Sequence, residues 1–135
     1  MESVQLHINY LAVIVVTILA FVLGGLWYGP LFGKAWMKET GITEEDAKKS
    51  NIVKVFGLSI FLNIVIALNL SAFLGAKADL QFGLFAGLAT GLGWVSASIG
   101  IIYLFSQKSL KLFLIDAGYQ TVIYAIMGAI LGVWK

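Results

Sequence analysis

Four long apolar stretches dominate this chain: roughly Ile8 to Tyr28, Val53 to Leu74, Phe82 to Phe105 and Leu110 to Trp134. A membrane-crossing helix needs about 20 mostly apolar residues, because it rises about 1.5 Å per residue through a hydrocarbon core about 30 Å thick. A soluble fold that hides all four stretches fails on area, since a chain of 135 residues leaves much of its surface in water. This chain is 60% hydrophobic and 12% charged, against about 25% charged in ordinary globular proteins. Its mean hydropathy is +0.94. The bilayer must be its solvent. The expected fold class is all-α, a polytopic membrane protein forming one transmembrane domain over 1–135. Its spans are expected at about 8–28, 53–74, 82–105 and 110–134. The first is expected to be retained, because its leading segment carries Glu2 but no Lys or Arg, and no small-x-small cleavage site follows.

Lysine placement sets an expected orientation, since Lys and Arg concentrate in cytoplasmic loops. Lys34, Lys38, Lys48, Lys49 and Lys54 surround the first connection, whose cytoplasmic loop is 30–52, and Lys108 and Lys111 surround the third. Lys77 and Lys135 fall on the other side. Seven against two places both termini outside.

The segment "GGLWYGPLFGKAWMK" at 24–38 reads as a membrane exit. Trp27 and Tyr28 are expected at headgroup level, where amphipathic rings are favoured, and Pro30 is expected to end the span. Phe32, Ala35 and Trp36 recur at helical spacing opposite Lys34 and Lys38, the pattern of a short amphipathic interfacial helix ended by Gly41. Phe32 and Trp36 would hold it on the lipid, with Lys34 and Lys38 in water. Thr43 before "EED" is an N-cap with acids in the first turn. The second span is therefore expected to start near Thr43 and enter the bilayer around Val53.

Within lipid, small and polar residues mark the packed faces. Gly83, Gly87 and Gly91 form one stripe of the third span, and Ala86, Ala89, Gly93, Ala97 and Gly100 form another. Two small faces predict a central third span with neighbours on both sides. One Gly stripe, or the Gly128 and Gly132 face of the fourth span, is expected at a subunit contact. A homo-oligomer, dimer or trimer, is the expected state.

Asp116, Gln120 and Tyr124 share one side of the fourth span, and Ser59 and Asn63 one stripe of the second. Counted from the cytoplasmic ends, Ser59, Asn63, Trp94, Ser98, Asp116 and Gln120 share a layer roughly 8 to 16 Å deep. A charge at that depth costs at least about 2 to 3 kcal/mol unless paired or hydrated. Lys34, Lys54 and Lys111 are the candidate partners. Two roles stay open: an ion- or solute-binding pocket, or an interhelical hydrogen-bond clamp.

Other chemistry lacks residues. There is no Cys, and the single histidine, His7, precedes the first span. Neither a multi-imidazole metal site nor a nucleophile–base pair is expected. "GGLWYG" lacks the spacing and the preceding strand of a phosphate-binding loop, and no basic face suggests nucleic acid. The expectation is no metal, no cofactor and no enzymatic activity.

Two segments, "FVLGGLWYGPLFGKAWMKETGITEED" and "KLFLIDAGYQTVIYAIMGAILGVWK", closely resemble the domain of unknown function 1761 family of small bacterial membrane proteins. The resemblance covers the whole chain. It implies the same four-span layout, the bacterial cytoplasmic membrane and Asn where this chain has Asp116, but no activity. The reading is a homo-oligomeric structural or accessory membrane component in contact with membrane lipids. The alternative is an oligomeric transporter or channel for a small solute or ion, using the polar layer around Asp116.

Overall fold

A computed structural model describes residues 8–134; His7 and Lys135 lie outside the described residues. The first span runs as α1 (Tyr10–Leu26) and a π-helical turn (Trp27–Leu31). Two short helices follow, α2 (Gly33–Thr40) and α3 (Glu44–Lys49). The second span is α4 (Ile52–Leu74). The third is α5 (Leu80–Leu88), a π-helical stretch (Ala89–Ser96) and α6 (Ala97–Phe105). The fourth is α7 (Leu110–Val133). Four helical stretches, Tyr10–Leu31, Ile52–Leu74, Leu80–Phe105 and Leu110–Val133, are long and apolar enough to cross a membrane. No strand occurs among the described residues. The protein is an all-α membrane protein.

Each span begins on a polar side chain that accepts from its first turn. Asn9 accepts from the Ala12 N–H, Asn51 from Lys54, Asp79 from Phe82 and Ser109 from Leu112. Orphan N–H groups at a helix start need such partners, and more so beside a bilayer. Gly41 closes α2 at φ +76°, as its sequence position suggests. The second span departs from expectation. Thr43 caps only α3, and the chain runs extended through Ser50 and Asn51 before α4 begins. The Asn51 side chain, capping Lys54 at 3.1 Å, starts a fresh helix where a continuous one was expected.

The closest packing joins α5 to α7. A Cβ placed on Gly83 would lie 2.1 Å from the Gly128 carbonyl oxygen, and one on Gly87 would lie 2.1 Å from that of Tyr124. Gly132 meets the Asp79 carbonyl in the same way, at 2.4 Å. The two glycine surfaces expected at a subunit contact thus meet each other inside one chain. The third and fourth spans are antiparallel and joined by a turn of a few residues after α6, so the nearest complementary surface is the neighbouring span. The stripe of Ala89, Gly93 and Ala97 stays exposed.

The central helix is therefore α7, not the third span. It touches α1, α2, α4, α5, α6 and the π-helical stretch, whereas α6 has no buried residue. A core of Val16 and Ala20 on α1, Ala67 and Leu70 on α4, and Ile123 and Met127 on α7 fills one half of the bundle. In the other half α4 stands away, exposed from Ile52 to Leu58. That divergence opens the space described below.

Two outcomes test this packing. Gly83→Ala forces a backbone contact apart and should cost about 1 to 3 kcal/mol, whereas Gly57→Ala on α4, with nothing within 4 Å of its added carbon, should melt like the unmutated chain. Thermal unfolding in mild detergent compares them. In α3, Thr43 N–H donates to Asp46 Oδ2 at 3.0 Å, and Asp46 N–H to Thr43 Oγ1 at 3.1 Å. The backbone bond, then the side-chain bond, from Thr43 hold the Asp46 carboxyl below its ordinary range. A depressed acid stabilises its ionised form, so the contribution is complete above the ordinary aspartate value and disappears as pH falls through the lowered one. Amide exchange across 43–49 should accelerate at acid pH, beyond its intrinsic trend, in the native chain and not in Asp46→Ala.

Candidate functional site

The site is built at the end of the first span. Pro30 has no N–H to give, and the turn widens: the Phe32 N–H reaches back five residues to the Trp27 carbonyl at 2.8 Å. Wider turns of this kind re-aim side chains. Gly33 makes this one possible, because a Cβ there would lie 2.5 Å from the Tyr28 carbonyl oxygen. Pro30 therefore does not end the span at Tyr28; helical structure continues to Leu31.

The turn directs Trp27 and Tyr28 into the bundle, where headgroup positions were expected. Trp27 lies over Gly118, 3.1 Å from where a Cβ would stand, and its indole N–H donates to the Ile115 carbonyl at 2.9 Å. The Tyr28 hydroxyl donates to Asp116 Oδ1 at 2.7 Å. The Tyr103 hydroxyl, from α6, donates to Asp116 Oδ2. Both carboxyl oxygens are thus held by phenols from the first and third spans. The sequence pointed to Lys34, Lys54 or Lys111, but a phenol hydroxyl sits on a rigid ring and reaches the site without burying an ammonium. Tyr119 completes the joint, donating to the Ala20 carbonyl at 2.7 Å with its ring 5.5 Å from that of Tyr28. Of the remaining anchors, Phe32 packs on Trp27 at 4.7 Å and Trp36 meets Tyr28 edge-on at 6.0 Å. Lys34 and Lys38 are exposed.

Two crevices flank the joint where α4 diverges. One, about 660 Å³, is lined by Tyr28, Trp36, Glu44, Val55, Ser59 and Asp116 among others. The other, about 480 Å³, is lined by Phe21, Phe56, Asn63 and Tyr119, and shares Tyr28 and Ser59 with the first. Asn63 also donates to the Ser59 carbonyl at 3.0 Å. Asp116 and Ser59 therefore line one crevice, and Ser59 and Asn63 the other.

The other residues of the expected layer lie elsewhere. Ser98 is exposed, as is Trp94 at 72%. Trp94 and Tyr124 border a separate groove of about 360 Å³ with Asn69 and Thr90. Gln120 is half-buried, with its backbone carbonyl against Gly91. For Trp94 and Ser98 the cause is the π-helical stretch, whose turns take in one residue more than α turns and rotate the third span beyond Ala89. The serine brought inward is Ser96, whose Oγ donates to the Gly91 carbonyl five residues back at 2.7 Å and lies 3.1 Å from Thr121 Oγ1. Tyr28, Tyr103 and Ser96 are the contributors that sequence reasoning missed. Depth alone marks Tyr103, which lies near the same membrane end as Asp116.

Chemically the joint is a charge-accepting hydrogen-bond centre between three spans. Among the described residues, no three His, Cys, Asp or Glu side chains converge on a metal-sized space. Fold and site together define a four-span helical membrane protein whose fourth span is tied to the first and third through one carboxylate. The chain belongs to the DUF1761 family, proteins of unknown function, whose model matches residues 11–132. No curated protein and no solved structure matches it.

The joint makes a prediction about coupling. Asp116→Ala strands two phenol donors and should cost about 1 to 3 kcal/mol, while Asp116→Asn keeps an acceptor and should cost less. Tyr28→Phe combined with Asp116→Asn should destabilise less than the sum of the two singles, because both remove one interaction. Unfolding followed by tryptophan fluorescence in detergent measures all three.

Proposed function

We propose that this protein is a non-catalytic, homo-oligomeric structural or accessory component of the bacterial cytoplasmic membrane, with both termini outside. One observation carries the reading: both oxygens of Asp116, the one acid in the interior of a span, are occupied by hydroxyls from two other spans. A carboxylate so engaged serves helix association, which in lipid depends on close packing and interhelical hydrogen bonds. The lysine bias of seven to two supports the orientation. The outward stripe of Ala89, Gly93 and Ala97 supports a second copy at the third span, with membrane lipids around the other faces.

A second reading, transport of a small solute or ion, draws on the crevice beside Asp116. Reconstitution in liposomes separates the two. The expected result is no proton, sodium or potassium flux above that of protein-free vesicles, under either polarity of gradient. Flux that Asp116→Asn abolishes would replace the structural reading with the transport one. Tags at the two ends, probed from outside intact cells, should both be accessible.

A further inference from the structure

The crevice beside Asp116 has a chemistry that selects one kind of occupant. Of the described residues that line it, the charged ones are Glu44 and Asp116, both acidic. Lys34 and Lys38 flank Trp36 in sequence but are exposed and outside the wall. Tyr28 and Trp36 line the same space with their rings edge to face, interplanar angle 79°. Aromatic faces attract cations, and more strongly where water is thinned. The adjoining crevice shares Tyr28 and Ser59, and its wall of Phe21, Phe56, Asn63, Tyr119 and glycines bears no charge among the described residues. The two together make an acidic, aromatic chamber continued by an uncharged, mostly apolar one.

We propose that this double crevice binds a lipophilic organic cation. Its charge would sit beside Asp116 and Glu44 against the Tyr28 and Trp36 rings, and its apolar body would lie along Phe21, Phe56 and Tyr119. An anion finds no basic group on these walls, and a small inorganic cation leaves the apolar chamber unused. Ligand entry comes from the side on which α4 stands away, so the cation partitions into the bilayer first. The proposal is independent of the structural reading above, because binding needs no transport.

The test uses the full chain in phosphatidylcholine nanodiscs, with radiolabelled tetraphenylphosphonium and with tetraphenylborate, which has the same shape and the opposite charge. Tetraphenylphosphonium should bind saturably, once per chain, and tetraphenylborate at least about tenfold more weakly, since about 1.4 kcal/mol is a factor of ten. Asp116→Asn should weaken cation binding about tenfold or more by the same conversion. Glu44→Gln, on an exposed helix, should weaken it by a few-fold, the scale of a solvent-exposed charge. Trp36→Leu should weaken it as well, and this variant and Glu44→Gln carry the test if Asp116→Asn does not fold. No saturable cation binding, equal binding of the anion, or unchanged affinity in both Glu44→Gln and Trp36→Leu would overturn the proposal. Failure here leaves the flux and unfolding experiments untouched.

Discussion

The bundle depends on the backbone-to-backbone contact of α5 and the start of the π-helical stretch with α7. Lipid tails are as apolar as leucine, so no hydrophobic force drives two membrane helices together; close van der Waals approach has to do it. Five glycines, Gly83, Gly87, Gly91, Gly128 and Gly132, bring carbonyl oxygens to within 2.1 to 3.0 Å of where a Cβ would stand. With that pair formed, α7 presents its other sides to α1 and α4, and Asp116 and Ile115 face the end of the first span. The polar joint is a consequence of that placement.

The joint also explains the irregular backbone on either side of it. Two membrane spans contain π-helical turns, at Trp27–Leu31 and Ala89–Ser96, and both feed α7. The first turns Trp27 and Tyr28 onto Gly118 and Asp116. The second turns Ser96 onto Ala117 and Thr121, its Oγ lying 3.2 Å from the Ala117 carbonyl. Every buried side-chain polar atom among the described residues has a partner, the condition a low-dielectric surrounding imposes. Distorting the helix is the means by which those partners are reached.

Rigidity is unevenly shared. Where α1, α4 and α7 meet, apolar residues such as Ala12, Val16, Ala67 and Met127 are almost fully enclosed. At the opposite end α4 stands clear and Val53 is 84% exposed, so the crevices open beside the only carboxylate in the span interiors. A packed half therefore holds the acid in place, while in the open half it lines a crevice.

The four spans, the short α2 ended by Gly41 and the glycine stripes were all legible in the residues. Each follows from local chemistry: a run of apolar side chains long enough for the bilayer, or a missing Cβ. The shared depth of Ser59, Asn63 and Asp116 was legible too, because depth is only a count along a helix. Rotation was not. Depth put Ser98 and Trp94 in the same layer as Asp116, but the π-helical stretch leaves both exposed and turns Ser96 inward instead. Nor does a stripe of glycines name its partner, so the same surfaces served an intramolecular contact rather than a second copy. Composition determined by itself that this chain lives in a membrane and crosses it as four helices. Only the tertiary structure decided that α7 is central and that Tyr28 and Tyr103 share Asp116. Those outcomes depend on which backbone turn widens and which glycine face is nearest, and both are settled by packing between helices rather than within one.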